Sequence, residues 1–327
     1  MSVVSQGLSV TKALAIAGIA KSSYYYRSNG RPKGGKPSVY TYHSNGTRVT
    51  NQTLVEKIKE LLSKDFIDYG YKRTAHALKR DGWIVNIKKV YRLMRQSGLL
   101  YPAPIKRTGD KTYVEFTKPK PLYPFHIIEV DIKYIWLHWQ RRHAYLITFL
   151  CVKSRFVIGW ALDITMKSGQ VIGILEAVLQ DPLVLELAGD QDHKLRIRTD
   201  NGPQFIAHKL AAACQRMEMD HEFIRPGTPQ QNGHIEGFHS SVDRIICQKY
   251  ELRYLDDAKE VFTRFYHTYN YERIMSAIKY KTPYEALCEW AASEGKKKPS
   301  DQKSACMKNN LNPILTLNNH QSVLSSL

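Results

Sequence analysis

The sequence predicts an α/β protein in which a mixed sheet with flanking helices is preceded by an all-α region. From residue 126 onward, segments rich in β-branched and aromatic residues alternate first with short polar turns and later with helical patterns. Residues 8–100 instead place apolar residues at helical spacing. The charge follows the same division: residues 1–124 carry 23 Lys and Arg against 7 Asp and Glu, and residues 125–290 carry 20 against 21.

The composition is that of a globular protein whose surplus of positive charge fits a polyanionic partner, an acidic membrane or simple solubility. The 327 residues are 43% hydrophobic with a net charge of +18, and this length allows about two or three domains. The longest apolar stretch, residues 144–152, is about half of the ~20 residues that cross a membrane. The start of the chain resembles no secretion signal, and the five cysteines include no Cys-x-x-Cys pair. We therefore expect a cytoplasmic protein whose basic third binds nucleic acid, rather than one that merely has a well-solvated surface.

Residues 1–28 are predicted to form a first helix-turn-helix unit. Two short helices are expected over residues 8–27, with Gly18 at the break and Ser22 as a candidate cap. This pattern is typical of a helix-turn-helix that enters the major groove, although ordinary helical hairpins share it. In the first interpretation the DNA contacts are Lys21, Ser22, Tyr24 and Arg27. Residues 29–52, rich in Gly, Pro, Ser and Lys, are predicted to be a flexible basic linker.

Residues 53–100 are predicted to form a second helix-turn-helix-like unit. The apolar spacing indicates helices over residues 53–64, 71–80 and 86–96. The last helix combines a preceding turn with a basic face, which favours a recognition helix over an amphipathic helix with a solvated basic side. The predicted contacts on it are Lys88, Lys89, Arg92 and Arg95. Residues 101–124, with five prolines, are predicted to be a linker into a third domain, residues 125–290.

The third domain begins with a predicted antiparallel meander and continues with alternating strands and helices. We predict strands over residues 126–136, 143–152, 155–164, 194–199 and 222–224, and helices over residues 168–179, 205–217 and from about 231 onward. This order indicates a mixed sheet with helices packed on it. The polar residues 291–327 are predicted to be a disordered tail.

Three carboxylates fall at the ends of these predicted elements. Asp131 lies in the first strand between two apolar residues, Asp200 ends the fourth strand, and Glu236 lies one turn into the helix that follows the loop at residues 226–229. Isolated carboxylates are usually surface charges. A hard cation such as Mg²⁺, however, prefers a few carboxylate oxygens together with substrate phosphate oxygens, and two such ions would support a phosphoryl displacement.

The segments around two of these residues resemble a known family. Residues 199–205 read Thr-Asp-Asn-Gly-Pro-Gln-Phe, residues 226–236 read Pro-Gly-Thr-Pro-Gln-Gln-Asn-Gly-His-Ile-Glu, and 35 residues separate Asp200 from Glu236. Over residues 8–290 the sequence is similar to insertion-sequence transposases with a retroviral-integrase-type core. The resemblance implies an RNase H-like fold and a Mg²⁺-dependent polynucleotidyl transferase. It also implies that Asp131, Asp200 and Glu236 form a catalytic triad that binds two Mg²⁺ ions, with Mn²⁺ as a possible substitute.

Polar residues near the triad are further candidates for DNA contacts, although each is also a plausible turn or cap. Gln204 could donate hydrogen bonds to DNA, and Gln231 and Asn232 lie in an amide-rich loop before the Glu236 helix, where free backbone N–H groups favour anions. Many family members carry a basic residue seven positions after the Glu. Here Asp243 takes that position and Arg244 follows, so Arg244 is the candidate contact.

The resemblance implies a transposase that binds the terminal repeats of its element and joins cut ends to target DNA. A homo-oligomer that pairs two ends and a location at the bacterial nucleoid are expected with it. Two alternatives remain open: a non-catalytic DNA-binding regulator on an integrase-like scaffold, and an RNase H-superfamily nuclease that cuts without joining. His234 and His239 are interpreted as structural or close to DNA rather than as metal ligands.

Overall fold

The structure is a computed structural model that describes residues 7, 9–26, 37–102, 119–189, 193–225 and 229–299. It consists of two units, residues 1–40 and residues 41–327. The predicted contact Arg27 and residues 300–327 of the predicted tail lie outside the described residues. In the described part of the chain, no helix has the length and apolar composition that a membrane crossing requires.

The first unit contains two short helices, α1 (Val10–Ile16) and α2 (Lys21–Tyr24). The side chain of Ser9 caps α1 by accepting a hydrogen bond from the backbone N–H of Lys12. Gly18, with φ +64°, ends the helix in a Schellman turn, in which the N–H of Ile19 donates to the carbonyl of Leu14. The predicted helix pair is therefore present, but α2 is a single turn of four residues.

A small sheet opens the second unit, where the sequence predicts a flexible linker. Strands β1 (Tyr40–His43), β2 (Arg48–Thr50) and β3 (Trp83–Ile84) lie in the order β2-β1-β3. The linker prediction for residues 29–52 is wrong for β1 and β2, because Thr41 alternates with exposed neighbours and Gly46, with φ +87°, supplies a tight turn.

Three helices pack beside this sheet, namely α3 (Asn51–Leu62), α4 (Tyr71–Arg80) and α5 (Ile87–Gln96). They share a buried core that includes Leu54, Ile58, Leu78, Val90 and Met94. Asn86 caps α5 by accepting a hydrogen bond from the N–H of Lys88 at 2.8 Å. The three predicted helices are confirmed to within two residues at each end.

The large sheet has five strands, in the order β6-β5-β4-β7-β8. They are β4 (Ile127–Leu137), β5 (Arg142–Cys151), β6 (Val157–Asp163), β7 (Arg196–Thr199) and β8 (Asp220–Phe223). β4, β5 and β6 are antiparallel neighbours, and β7 and β8 continue the sheet in parallel with β4. The predicted meander and mixed sheet are confirmed, and the fold is RNase H-like.

Helices cover both faces of this sheet. They are α6 (Ser168–Leu179), α7 (Pro182–Ala188), α8 (His208–Arg216), α9 (Gly233–Val242), α10 (Leu255–Tyr271) and α11 (Pro283–Ser293). Ile128 and Val130 of β4 pack with α6, α7, α8 and α11, whereas Ile135 and Leu137 pack with α9 and α10. The sequence reading missed α7, a seven-residue helix that begins with Asp181 as its cap and a proline in its first turn.

An ionic cluster around a buried carboxylate joins the segment between α3 and α4 to the end of α10. The side chain of Asp68 is 1% exposed and contacts the guanidinium groups of Arg73, Arg244 and Arg273. Burial by itself would raise the pKa of the Asp68 carboxyl. The charges of Arg273 and Arg73, with hydrogen bonds from Arg273 and Arg244, outweigh burial and hold that pKa below its ordinary value. We call these four residues the Asp68 cluster.

Candidate active site

Strand β4 carries a row of polar side chains on the face that is turned toward α9. Successive residues of a strand point to opposite faces, so Glu129, Asp131 and Lys133 share a face with Ile135 and Leu137, and the last two are core residues beneath α9. Asp131 is only partly exposed, and its carboxylate accepts a hydrogen bond from the N–H of Ile132 at 2.8 Å. The strand thereby presents a carboxylate at the margin of the core.

Asp200 stands beside Asp131 because β7 and β4 are parallel. Glu129 pairs with Arg198, so two further steps along each strand bring Asp131 level with Asp200. The N–H of Gly202 donates to Asp200 Oδ1 at 3.0 Å, and a Cβ at Gly202 would lie 3.0 Å from that same oxygen. The pKa of the Asp200 carboxyl is raised by burial first and then by the negative charge of Asp131.

Glu236 reaches the same place from the first turn of α9. Partial burial raises the pKa of its carboxyl, and the charges of Asp131 and Glu129 raise it further, while His239 acts in the opposite direction. Asp131 therefore repels both Asp200 and Glu236. The three predicted carboxylates are thus close enough to interact electrostatically through Asp131, and they come from β4, the end of β7 and α9.

A ladder of side-chain pairs connects α9 with β4. His234 Nδ1 lies 2.7 Å from Oε1 of Glu129, and the N–H of Ile235 donates to the other oxygen of Glu129 at 2.9 Å. One step along, His239 Nδ1 lies 3.2 Å from Asp131 Oδ2. The last pair joins Lys133 of β4 to Asp243, the residue that follows α9, with a carboxylate oxygen 2.9 Å from Nζ.

The ladder includes one residue that the sequence reading missed. Glu129 is fully buried, although it is charged and lies two residues before Asp131. The signal that could have found it is the period of two along the strand, which places Glu129 on the same face as Asp131. The two histidines contact carboxylates of β4, which agrees with a structural role for them.

Arg198 supports the site from β7. Its guanidinium donates to both oxygens of Glu222 at 3.0 Å and to the carbonyl of Gln231 at 3.2 Å, and it lies 4.0 Å from Glu129. Gln231 in turn accepts a hydrogen bond from the N–H of Arg225 through its side chain. Arg198 thus ties the start of the Glu236 helix to the sheet.

The donor chemistry of the three carboxylates suits a hard divalent cation, because such ions prefer oxygen ligands. Within the residues that the structure describes, no group of three or more His, Cys, Asp and Glu side chains is close enough together to hold a metal ion. The buried amide oxygen of Asn232, just before α9, has no hydrogen-bond partner.

Comparison with known proteins identifies the two parts of this architecture. The integrase core domain family matches residues 121–229, a second integrase core domain family matches residues 217–283, and an HTH-like domain family matches residues 50–107. Among curated proteins, the transposase of insertion element IS904 from Lactococcus lactis is 26% identical and is matched over 94% of its length and 72% of this chain. The chain belongs to the insertion-sequence transposases with an integrase core.

Further similarities of this transposase are found among curated proteins and among solved structures. An uncharacterized 31.7 kDa protein of insertion element IS407 from Burkholderia multivorans is 27% identical over 74% of this chain and 83% of that protein. Among solved structures, a simian T-cell lymphotropic virus intasome is 16% identical with a TM-score of 0.44, covering 65% of this chain and 70% of that one. The HTLV-2 integrase catalytic core is 18% identical with a TM-score of 0.38, covering 51% and 99%.

The predicted DNA-contacting residues of the transposase lie in several places. On α5, Lys88 and Arg95 are exposed, and Lys89 and Arg92 are partly exposed. On α2, the side chains of three predicted contacts are exposed, namely Lys21, Ser22 and Tyr24. These two groups belong to the helical units and not to the carboxylate site.

The remaining predicted contacts lie in the integrase core. Gln204 is close to Asp200, because a Cβ at Gly202 would touch side-chain oxygens of both residues. Asn232 is buried, and Arg244 donates through Nε to Asp68 Oδ2 at 2.5 Å. Arg244 therefore has an internal partner in the Asp68 cluster, which its sequence position beside Asp243 did not reveal.

Proposed function

We propose that this transposase uses Asp131, Asp200 and Glu236 as a DDE catalytic triad that binds two Mg²⁺ ions, or Mn²⁺ in their place. The observation that carries the proposal is the parallel register of β4 and β7, which brings Asp131 level with Asp200, together with the raised pKa of Asp200 and Glu236 beside Asp131. A hard cation would relieve the repulsion that Asp131 exerts on the other two carboxylates.

The residues of the chain orient this site rather than form a covalent bond to DNA. When bound, the ions would supply activation of the attacking hydroxyl and stabilisation of the leaving oxygen in an in-line displacement. His239 and the N–H of Ile132 hold the Asp131 carboxylate, and Glu129 holds the first turn of the Glu236 helix. The nucleophile is water for cleavage and a DNA 3′-hydroxyl for joining.

The substrates in this proposal are the terminal repeats of the element and a target DNA. The basic helical units bind the repeats through α2 and α5. Gln204, Gln231 and Asn232 are the proposed DNA contacts of the integrase core. We further propose that a homo-oligomer pairs two element ends, and that the protein works at the bacterial nucleoid because its substrate is chromosomal DNA.

A strand-transfer assay tests the proposal. Labelled element ends are incubated with plasmid target and Mg²⁺, and joined products are separated from products that are merely cut. We expect the wild type to join ends, and Asp131→Asn and Glu236→Gln to lose joining while they keep their affinity for duplex DNA. Glu222→Gln, which changes an exposed carboxylate beside Arg198, is the matched control.

Two results would contradict the proposal. Joining at the wild-type rate by either triad variant would remove the triad from the mechanism. Cut products without joined products from the wild type would favour a nuclease that shares the RNase H-like fold.

A further inference from the structure

We infer that the three-stranded sheet β2-β1-β3 is a second DNA-contacting element that binds the sugar-phosphate backbone beside the recognition helix α5. The inference rests on the proposed function, in which α5 reads DNA. It concerns the hairpin at residues 41–50, which lies outside both the HTH-like and the integrase matches except for its last residue.

One face of this sheet presents a row of exposed side chains. Tyr42 pairs with Ile84 across β1 and β3, and the two side chains are 50% and 66% exposed. His43 donates its N–H to the carbonyl of Thr47. Because β1 and β2 are antiparallel, the next pair away from the turn places Arg48 opposite Tyr42. Arg48 is also exposed. Ile84, Tyr42 and Arg48 thus form a continuous row across three strands, which we call the exposed row.

The hairpin is anchored to the turn between α4 and α5. The N–H of Ser44 donates to the carbonyl of Gly82 at 2.8 Å, and His43 Nε2 lies 2.8 Å from the carbonyl oxygen of Asp81. The His43 ring also packs edge-on against Trp83 at 5.0 Å. Gly82 has φ +86°, and a Cβ there would lie 2.6 Å from His43 Nε2, so the close approach requires glycine.

The anchoring fixes the exposed row next to the start of α5. Ile84 lies two residues before Asn86, the residue that caps α5. The first turn of a recognition helix is the part that enters the major groove, and the flanking turn faces the sugar-phosphate backbone. A rigid sheet on that turn is therefore placed to meet the backbone when α5 is in the groove.

The chemistry of the row and of its surroundings fits duplex DNA. Residues 41–100 contain twelve Lys and Arg against five Asp and Glu. Arginine and tyrosine side chains are common donors to phosphate oxygens, and an isoleucine can pack against a sugar. The acidic residue of the adjoining turn, Asp81, accepts a hydrogen bond from the Trp83 ring nitrogen at 3.2 Å. The surplus of positive charge in residues 41–100 favours duplex DNA as the partner of the exposed row.

The salt dependence of DNA binding tests the inference in the full-length protein. The probe is a fluorescent duplex of arbitrary sequence, and its affinity is measured by anisotropy at several salt concentrations. We expect Arg48→Ala to reduce the slope of log K against log salt by about one and to weaken binding equally for different sequences. Tyr42→Phe removes only a hydroxyl, so we expect an affinity loss of about two- to tenfold with an unchanged slope.

Two further variants separate the possible failures. Arg216→Ala removes an exposed arginine of the integrase core that pairs with Glu176, and we expect it to leave the slope unchanged. Arg95→Ala removes an exposed arginine of α5, and we expect it to reduce the slope. If Arg48→Ala leaves the slope unchanged, or changes it no more than Arg216→Ala does, the hairpin makes no phosphate contact and the inference is wrong.

The wild type and the α5 variant report on the proposed function itself. Steep salt dependence that is lowered in Arg95→Ala but not in Arg48→Ala would contradict only the role of the hairpin. Failure of the wild type to bind any duplex would contradict both the inference and the proposed function. Thermal unfolding of each variant shows whether a loss of affinity comes from a loss of fold.

Discussion

Two clusters of charged residues in this transposase are both partly buried, but their carboxyl pKa values are shifted in opposite directions. Burial raises the pKa of a carboxyl in the Asp68 cluster and at the triad. Around Asp68 the neighbours are three guanidinium groups, and the pKa ends below its ordinary value. Around Asp200 and Glu236 the neighbours include Asp131, and both pKa values end above theirs.

Under the proposed function, this difference separates a structural cluster from a catalytic one. The Asp68 carboxylate has hydrogen-bonded cationic partners within the chain, so it stabilises the contact between the helical unit and the integrase core. At the triad, Asp131 instead raises the pKa of both Asp200 and Glu236. Under the proposed function, a bound metal ion would compensate this negative charge.

The largest effect is expected for substitutions in the triad. Asp131→Asn, Asp200→Asn and Glu236→Gln should each reduce the rate of strand transfer by about a thousandfold or more, since metal binding supplies several kcal/mol of transition-state stabilisation. The same changes remove repulsion, so the free energy of unfolding without metal should be unchanged or higher. Product analysis and urea denaturation measure the two quantities. A triad variant with marked loss of stability would contradict the repulsion that the pKa shifts indicate.

The second effect concerns the Asp68 cluster. Asp68→Asn leaves the buried guanidinium of Arg273 without a charged partner, and the free energy of unfolding should fall by about 3–5 kcal/mol. Urea denaturation measures this change. The matched control is Asp65→Asn, which breaks an exposed pair with Arg264 and should cost about 1 kcal/mol or less. Equal losses in the two variants would show that the cluster is not a structural centre.

The third effect concerns the ladder beside the triad. Glu129→Gln keeps the shape of the side chain but removes the charge that holds His234 and faces Arg198, and we expect strand transfer to slow by about 10- to 100-fold. Duplex affinity should stay the same. Glu222→Gln, at the exposed side of Arg198, should change the rate by about fivefold or less. A wild-type rate in Glu129→Gln would show that the ladder does not position the Glu236 helix.

The smallest effect is a pH dependence of stability. The pKa of Asp68 in the folded protein lies below the ordinary value of 3.8, so its contribution is fully present above that value. The contribution is lost as the pH falls through the lower folded-state pKa. The stability difference between the wild type and Asp68→Asn should therefore be constant near neutral pH and narrow below about pH 4. Urea denaturation across this range measures it, and a difference that widens on acidification would contradict the sign.

Local patterns predicted much of the fold. The helices at residues 71–80 and 168–179 were predicted with the bounds that the structure shows, because apolar spacing and caps are properties of short segments. The meander was predicted from alternation and turn residues in the same way. The three candidate carboxylates came from the predicted layout of the elements and from the resemblance around Asp200 and Glu236, although Asp131 lies within β4 rather than at the end of an element.

Other features could not be read in this way because their partners are distant in the chain. The helix-turn-helix interpretation of α5 required only its own residues, whereas the anchoring of the hairpin at residues 41–50 requires β3. Residues 40–50 contain Gly46 and polar residues, which indicate a turn, but a two-residue strand such as β3 has no sequence signal of its own. The internal partner of Arg244 was equally invisible, because Asp68 lies 176 residues earlier.

Most of the order of helices and strands and the basic character of the helical units could be predicted from the sequence, because both depend on residues that are near one another in the chain. The identity of the candidate triad came from the resemblance of the segments around Asp200 and Glu236 to a known family. Which charges are compensated depends on the tertiary structure. Glu129 meets His234 across 105 residues, and Asp68 meets Arg273 across 205. Electrostatic free energy depends on distance in space and on burial, and neither is encoded in local spacing.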